Sequence, residues 1–350
     1  MGASKAAENA VLVKARAMYG NRLTQQNYDD LIGCRTVNEI ASYLKSRTTY
    51  EAVLNGVSIG TIHRRQLESA VHDKLNIQFA GLCIFEQAIG DRFYEYFIIR
   101  NDIEILLHTV RYLKGGHIHA RPTVLPPFFQ HHSKLNESKL LAVTTFEQLM
   151  ESLNGSPYKK LFEPFVSRGG EPDYFSMEQM LTKYLYSEIE KLIKRSFSGK
   201  AKKELYDLLR MKRDFLNIVS VYRFKKIARR PGMLIRDVLI PNDTLMTDEQ
   251  LDSMIMAKSA DEVLRILKNT CYGKEYDENE SVCIEQTFEK IMYNRCRKLL
   301  RFSTSAGVVV VCYIALMETE VRNLVHIIEG IRYNLPSSEI NKLLVGIQDE

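Results

Sequence analysis

Three stretches of this 350-residue chain repeat one helix-opening word. Thr36-Val-Asn-Glu39 is followed by Ile40, Leu44 and Tyr50. Thr145-Phe-Glu-Gln148 is followed by Leu149, Leu153 and Tyr158. Ser259-Ala-Asp-Glu262 is followed by Val263, Leu267 and Tyr272. Each reads as a capping box, in which a hydroxyl satisfies an orphan helix N–H and an acidic or amide side chain three residues on reaches back. The boxes lie 109 residues apart from Thr36 to Thr145 and 114 from there to Ser259. A threefold repeat of roughly a hundred residues, long enough for each unit to hold a small core of its own, predicts a symmetric helical scaffold and not a single catalytic cleft.

A second signature recurs in register with the first. Asp102 leads Ile103, Leu106, Leu107 and Val110; Asp214 leads Phe215, Ile218, Val219 and Tyr222; Glu320 leads Val321, Leu324, Val325 and Ile328. The spacing puts the apolar residues on one helix face. Arg111 and Arg223 close the first two copies, and Glu329 holds that place in the third. Three copies of one acid argue against a catalytic role. They predict a structural one, through the helix dipole or a basic neighbour.

The rest of the chain also reads as helix. The patterns predict an N-terminal helix over 7–19, a short helix pair around each box, and long pairs over 61–88 and 91–113, 176–197 and 200–227, and 281–302 and 307–334. Gly115-Gly116, Ser198-Gly199, Pro231-Gly232 and Leu335-Pro336 break them, while Pro122 to Pro127 and Ile240-Pro241 join the units. No segment alternates strictly between hairpin turns. The expected fold is all-α, in units 1–126, 127–236 and 237–350.

Composition narrows the setting. The six cysteines lack C-x-x-C pairs, which suits reduced thiols in a cytosolic protein better than disulfides or zinc. The N-terminus has no apolar core, so no signal peptide is expected. The longest apolar run, 306–317, is too short to span a bilayer and reads as a buried helix of a soluble or peripheral protein. Net charge is only +5, but residues 191–236 carry fifteen Lys and Arg against Glu204, Asp207 and Asp214. Such a segment is a solvated face or a surface for an acidic partner or headgroups. Without a nucleic-acid module beside it, nucleic acid is the least favoured partner.

Motifs for chemistry are sparse. Walker A, G-x-G-x-x-G, H-E-x-x-H and EF-hand patterns are absent, and no cofactor is expected. Gly56-Val-Ser-Ile-Gly60 fits G-x-S-x-G, which would make Ser58 a hydrolase nucleophile. That motif needs a strand before it; a turn between helices explains it more simply. His117, His119, His131 and His132 lack the cysteines and carboxylates of a metal site and read as loop residues.

Lys14-Ala-Arg16, Arg22-Leu-Thr24, Tyr28, Leu31, the Thr36 box and Thr49-Tyr50 resemble the opening of the C subunit of the A/V-type rotary ATPases and ATP synthases, related to the eukaryotic V-ATPase d subunit. Glu318-Thr-Glu320, Asn323-Leu324, Ile328 and Leu335-Pro-Ser-Ser-Glu339-Ile340 resemble the family's C-terminal end. The likeness covers essentially the whole chain and is loosest in the middle unit. It implies a non-catalytic protein of three similar helical domains in a pseudo-threefold funnel. That funnel would cap the cytoplasmic face of the membrane rotor ring, hold the foot of the central shaft and couple ATP chemistry to ion movement. Arg111, Arg223, Lys202, Lys203, Lys212 and Arg213 are the expected partner contacts. The alternatives are a helical adaptor unrelated to rotary motors and, least favoured, the Ser58 hydrolase.

Overall fold

The computed structural model describes residues 2–88, 94–115, 127–166, 173–228, 235–241, 243–276 and 283–347. Among them every regular element is a helix or helical turn, and the fold is all-α. In chain order the helices are α1 Gly2–Gly20, α2 Gln25–Ile32, α3 Val37–Arg47, α4 Glu51–Leu54, α5 Arg64–Ala88 and α6 Glu95–Leu113. There follow α7 Pro127–His132, α8 Glu137–Leu141, α9 Phe146–Ser152, α10 Lys159–Val166, α11 Tyr174–Ser196 and α12 Gly199–Arg223. The last are α13 Asp248–Met256, α14 Ala260–Leu267, α15 Ile284–Phe302, α16 Ala306–Arg332 and α17 Ser337–Lys342. A 3₁₀ turn covers Ile59–Thr61, and a π turn, Phe224–Ala228, ends α12. None of these helices is long and apolar enough to cross a membrane.

Each repeated word opens a helix. Thr36, Thr145 and Ser259 are the N-caps of α3, α9 and α14, and their hydroxyls accept from the backbone N–H of Glu39, Gln148 and Glu262 at 3.2, 3.3 and 3.2 Å. The return bond falls one residue earlier than a standard capping box places it. Glu39, Gln148 and Glu262 accept from the N–H of Arg35, Thr144 and Lys258, the residue before each cap. The extended cap backbone, with φ between −130° and −146°, accompanies this longer reach. The first helix of each short pair is capped too. Thr24 and Thr247 form full boxes with Asn27 and Gln250, and Asn136 accepts from Lys139 N. Each cap is worth about 1 kcal/mol.

The same word also closes its helix. Thr48, Ser156 and Thr270, each two residues before the repeated tyrosine, donate to the carbonyls of Leu44, Leu153 and Leu267 at 2.6, 2.8 and 2.7 Å. These bonds satisfy C-terminal carbonyls that the helix leaves open.

The chain divides into two compact units: Met1–Ile89 with Lys203–Leu239 and Asp243–Glu350, and Gly90–Lys202 with Ile240–Asn242. In the smaller unit α6 packs along α11, and Ile103, Leu106, Leu149, Leu153, Phe162 and Leu181 are fully buried. In the larger unit α16 packs against α1, α5 and α15. Its 306–317 run is buried as expected, apart from the half-buried Val311 and Ala315. A separate core in that unit joins Phe215 and Ile218 of α12 to Val263 and Leu267 of α14 and to Phe288 and Ile291 of α15. The rings of Phe215 and Phe288 stack there at 4.2 Å.

Candidate functional site: three buried carboxylates and a basic surface

The three repeated acids lie in the interior, with Asp102, Asp214 and Glu320 at 0, 1 and 5% exposure. None sits in the first turn of its helix, so the helix dipole does not account for them. Their partners are the repeated tyrosines. Tyr158 OH donates to Asp102 Oδ2 at 2.8 Å, Tyr272 OH to Asp214 Oδ2 at 2.6 Å and Tyr50 OH to Glu320 Oε1 at 2.9 Å.

Backbone donors just ahead of each short helix pair complete the clusters. Lys134 N reaches Asp102 at 3.1 Å, and Ser133 Oγ reaches its other oxygen at 2.5 Å. Leu245 N and Met246 N reach Asp214 at 2.9 and 3.2 Å. Leu23 N reaches Glu320 at 2.8 Å. One carboxylate thus pins both the entry to a short helix pair and the tyrosine that follows it.

Each acid is held by the tyrosine of another repeat and not of its own. Asp102 pairs 56 residues forward with Tyr158 and Asp214 pairs 58 forward with Tyr272, whereas Glu320 turns back 270 residues to Tyr50. The last repeated helix therefore holds the first repeated word, and the sequence repeat closes on itself.

Burial dominates the electrostatics. It raises the pKa of all three carboxyls, against the pull of their hydrogen bonds. It also raises those of Tyr50, Tyr158 and Tyr272, and the carboxylates beside them push the same way. Glu320 also has a basic neighbour at ion-pair distance: Lys74 Nζ stands 3.9 Å from Oε1, 3.5 Å from the Tyr50 ring centre and 2.7 Å from Thr49 Oγ1. Burial brings the Lys74 amine down to about 8, although Glu320 pulls upward. Each carboxylate is occupied by donors from elsewhere in its own unit, so the clusters hold helices and loops together.

Nine residues after each acid comes a surface ion pair. Arg111 meets Glu178 at 2.9 Å, and Arg223 meets Glu285 at 2.8 Å. In the third copy the polarity is reversed, and Glu329 pairs with Arg64. Exposed pairs of this kind contribute about 0–1 kcal/mol. The arginines keep 57 and 61% of their side-chain surface in solvent.

The other expected contacts divide. Lys203 is exposed, and Lys202 and Lys212 are half-buried. Arg213 departs from the expectation of a surface residue. It is 2% exposed and donates to Asp243 O at 2.7 Å, because it neighbours Asp214 on the buried side of α12. The basic segment is also less positive in space than in sequence. Lys191, Lys194, Arg195, Arg223 and Arg236 pair with Glu188, Glu190, Glu95, Glu285 and Asp252, acids that all lie outside residues 191–236. Near the start of α12 Lys200 and Lys203 are exposed, and toward its end and in the π turn a mixed strip of Leu216, Arg223, Lys226 and Ile227 is exposed.

The catalytic alternative finds no support in the geometry. Ser58 caps a 3₁₀ turn that follows a short helix, and its carbonyl accepts from Thr61 N. No strand precedes it, so the strained elbow of a hydrolase is absent. His131 and His132 lie in α7 among aromatic rings, with His132 Nδ1 2.9 Å from Phe128 O. No group of metal-ligating residues occurs among the described residues. His117 and His119 lie outside them.

Proteins of similar length are similar to this chain over most of its sequence. The A-type ATP synthase C subunit of Archaeoglobus fulgidus is 24% identical over 348 residues, covering 98% of this chain and 97% of that protein. The C subunits of the A-type ATP synthases of Thermococcus kodakarensis and Pyrococcus horikoshii are 23 and 24% identical, each covering 95% of this chain and 88% of theirs. The family described as ATP synthase (C/AC39) subunit matches residues 11–343. With both signatures, all three carboxylate clusters and nearly the whole all-helical chain inside that match, the chain belongs to the ATP synthase (C/AC39) subunit family.

Proposed function

We propose that this chain is a non-catalytic central-stalk component of an A/V-type rotary ATPase or ATP synthase. It joins the shaft to the membrane rotor ring on the cytoplasmic face and turns with them. The observation that carries the reading is the family match across residues 11–343. Three similar domains in pseudo-threefold arrangement, forming a funnel around the foot of the shaft, are part of the proposal, and the closed circuit of acid–tyrosine pairs favours them. A torque-bearing coupler must not yield internally. A buried carboxylate with two or three hydrogen-bond donors ties segments far apart in sequence at little conformational freedom, and charge-assisted bonds of this kind are the stronger ones.

Partner contact then falls to the surface. Lys202, Lys203, Lys212, Arg111 and Arg223 are the proposed contacts, together with the strip of Leu216, Lys226 and Ile227. Arg213 contributes by holding its own unit. The test is co-purification of the tagged chain from native membranes. Shaft and ring proteins are expected with it, and Lys202→Glu with Lys203→Glu is expected to weaken their recovery without changing helix content. Recovery of the chain alone from the soluble fraction would overturn the proposal.

A further inference from the structure

Helices α15 and α16 are joined by three residues, Ser303 to Ser305, and pack along each other as an antiparallel hairpin. Cys296 lies six residues before the end of α15, and Cys312 six residues after the start of α16. The two are therefore matched across the turn. They are 1 and 0% exposed, and Cys296 is the foremost influence pushing the Cys312 thiol up. Two buried thiols at matched heights on packed helices are placed to approach each other, which is the first requirement of a disulfide. The other cysteines differ: Cys271 and Cys283 are exposed, Cys34 is half-buried, and Cys83 is buried in α5.

We propose that Cys296 and Cys312 are a redox-active pair, which a low-molecular-weight disulfide closes into a bond that staples α15 to α16. The thiolate of one cysteine attacks the small disulfide, forms a mixed disulfide and expels one small thiolate. The second cysteine, as its thiolate, attacks the first sulfur and expels the other. Two protein thiols are oxidised, one small disulfide is reduced to two thiols, and no other reactant is needed. The Arg295 guanidinium favours the thiolate of Cys312, while burial and Cys296 disfavour it. Access comes through opening of the hairpin end, where Arg16 holds the carbonyls of Leu300 and Ser303 at 2.8 and 2.6 Å. Because α16 also carries Glu320, the staple fixes the helix that holds the first repeated word.

The experiment treats the reduced full chain with oxidised glutathione, with and without mild urea, and maps the products by mass spectrometry after alkylation. The expected result is a linked Cys296–Cys312 peptide lighter by two hydrogen masses, formed faster in mild urea. A raised urea midpoint that reverts with dithiothreitol is expected with it. Cys312→Ser should abolish the linked peptide while leaving adducts on Cys271 and Cys283. If those two exposed cysteines react while Cys296 and Cys312 stay alkylatable in both conditions, the proposal is wrong. It is equally wrong if the linked product leaves the midpoint unchanged.

Discussion

Replacing Glu320 with Gln tests the reasoning about the buried clusters most sharply. Glu320 is 5% exposed and Lys74 6%. The substitution keeps the size and leaves an oxygen for Tyr50, but it puts an NH₂ where Leu23 N now finds an acceptor at 2.8 Å. It also strips Lys74 of its counter-charge. Removing one partner of a buried pair costs about 3–5 kcal/mol, and an unsatisfied buried N–H alone costs about 1–3. The expected loss is therefore about 3–5 kcal/mol. At a slope near 3 kcal/mol per molar, that lowers the urea midpoint by about 1 M or more. Helix signal in urea is the assay. Adding Lys74→Met should return more than about 1 kcal/mol, since the two residues act on one cluster. A loss in Glu320→Gln below about 0.5 kcal/mol, or strictly additive losses in the double variant, would refute the reasoning.

Further expectations follow from the same geometry. Between about pH 8 and the ordinary lysine value of 10.5, unfolded Lys74 binds a proton that the folded residue has released. This group therefore makes stability rise with pH across that window, and denaturation at pH 8 and 10 should show the rise reduced in Lys74→Met. Thr145→Ala should cost about 1 kcal/mol, with amide exchange quickening first at Gln148, whose N–H loses its acceptor. Arg213→Ala should cost at least about 2 kcal/mol as a buried hydrogen-bonded charge, and Arg223→Ala no more than about 1. Equal losses from the two in thermal melts would contradict the placement of Arg213.

The helices were legible in sequence because their signals are local. Predicted spans such as 61–88 and 307–334 meet α5 at Arg64–Ala88 and α16 at Ala306–Arg332. A cap and its N–H lie three residues apart, so the threefold word could be read directly. What the repeated acids and tyrosines do for one another could not. Both residue types stood out, but the bonds between them span 56, 58 and 270 residues, and no local pattern says which copy answers which. The basic segment misled for a related reason: the acids that balance Lys191, Arg195 and Arg223 lie outside it in sequence and beside it in space. Arg213 was misjudged because a charge beside a buried acid reads the same, in one dimension, as a charge on a solvated face.

The claim that this protein couples the shaft to the rotor ring is tested most directly by removing it. Membranes lacking the chain should still hydrolyse ATP but show no ATP-driven ion transport, and the purified chain should restore transport. Transport that persists undiminished without it would contradict the account.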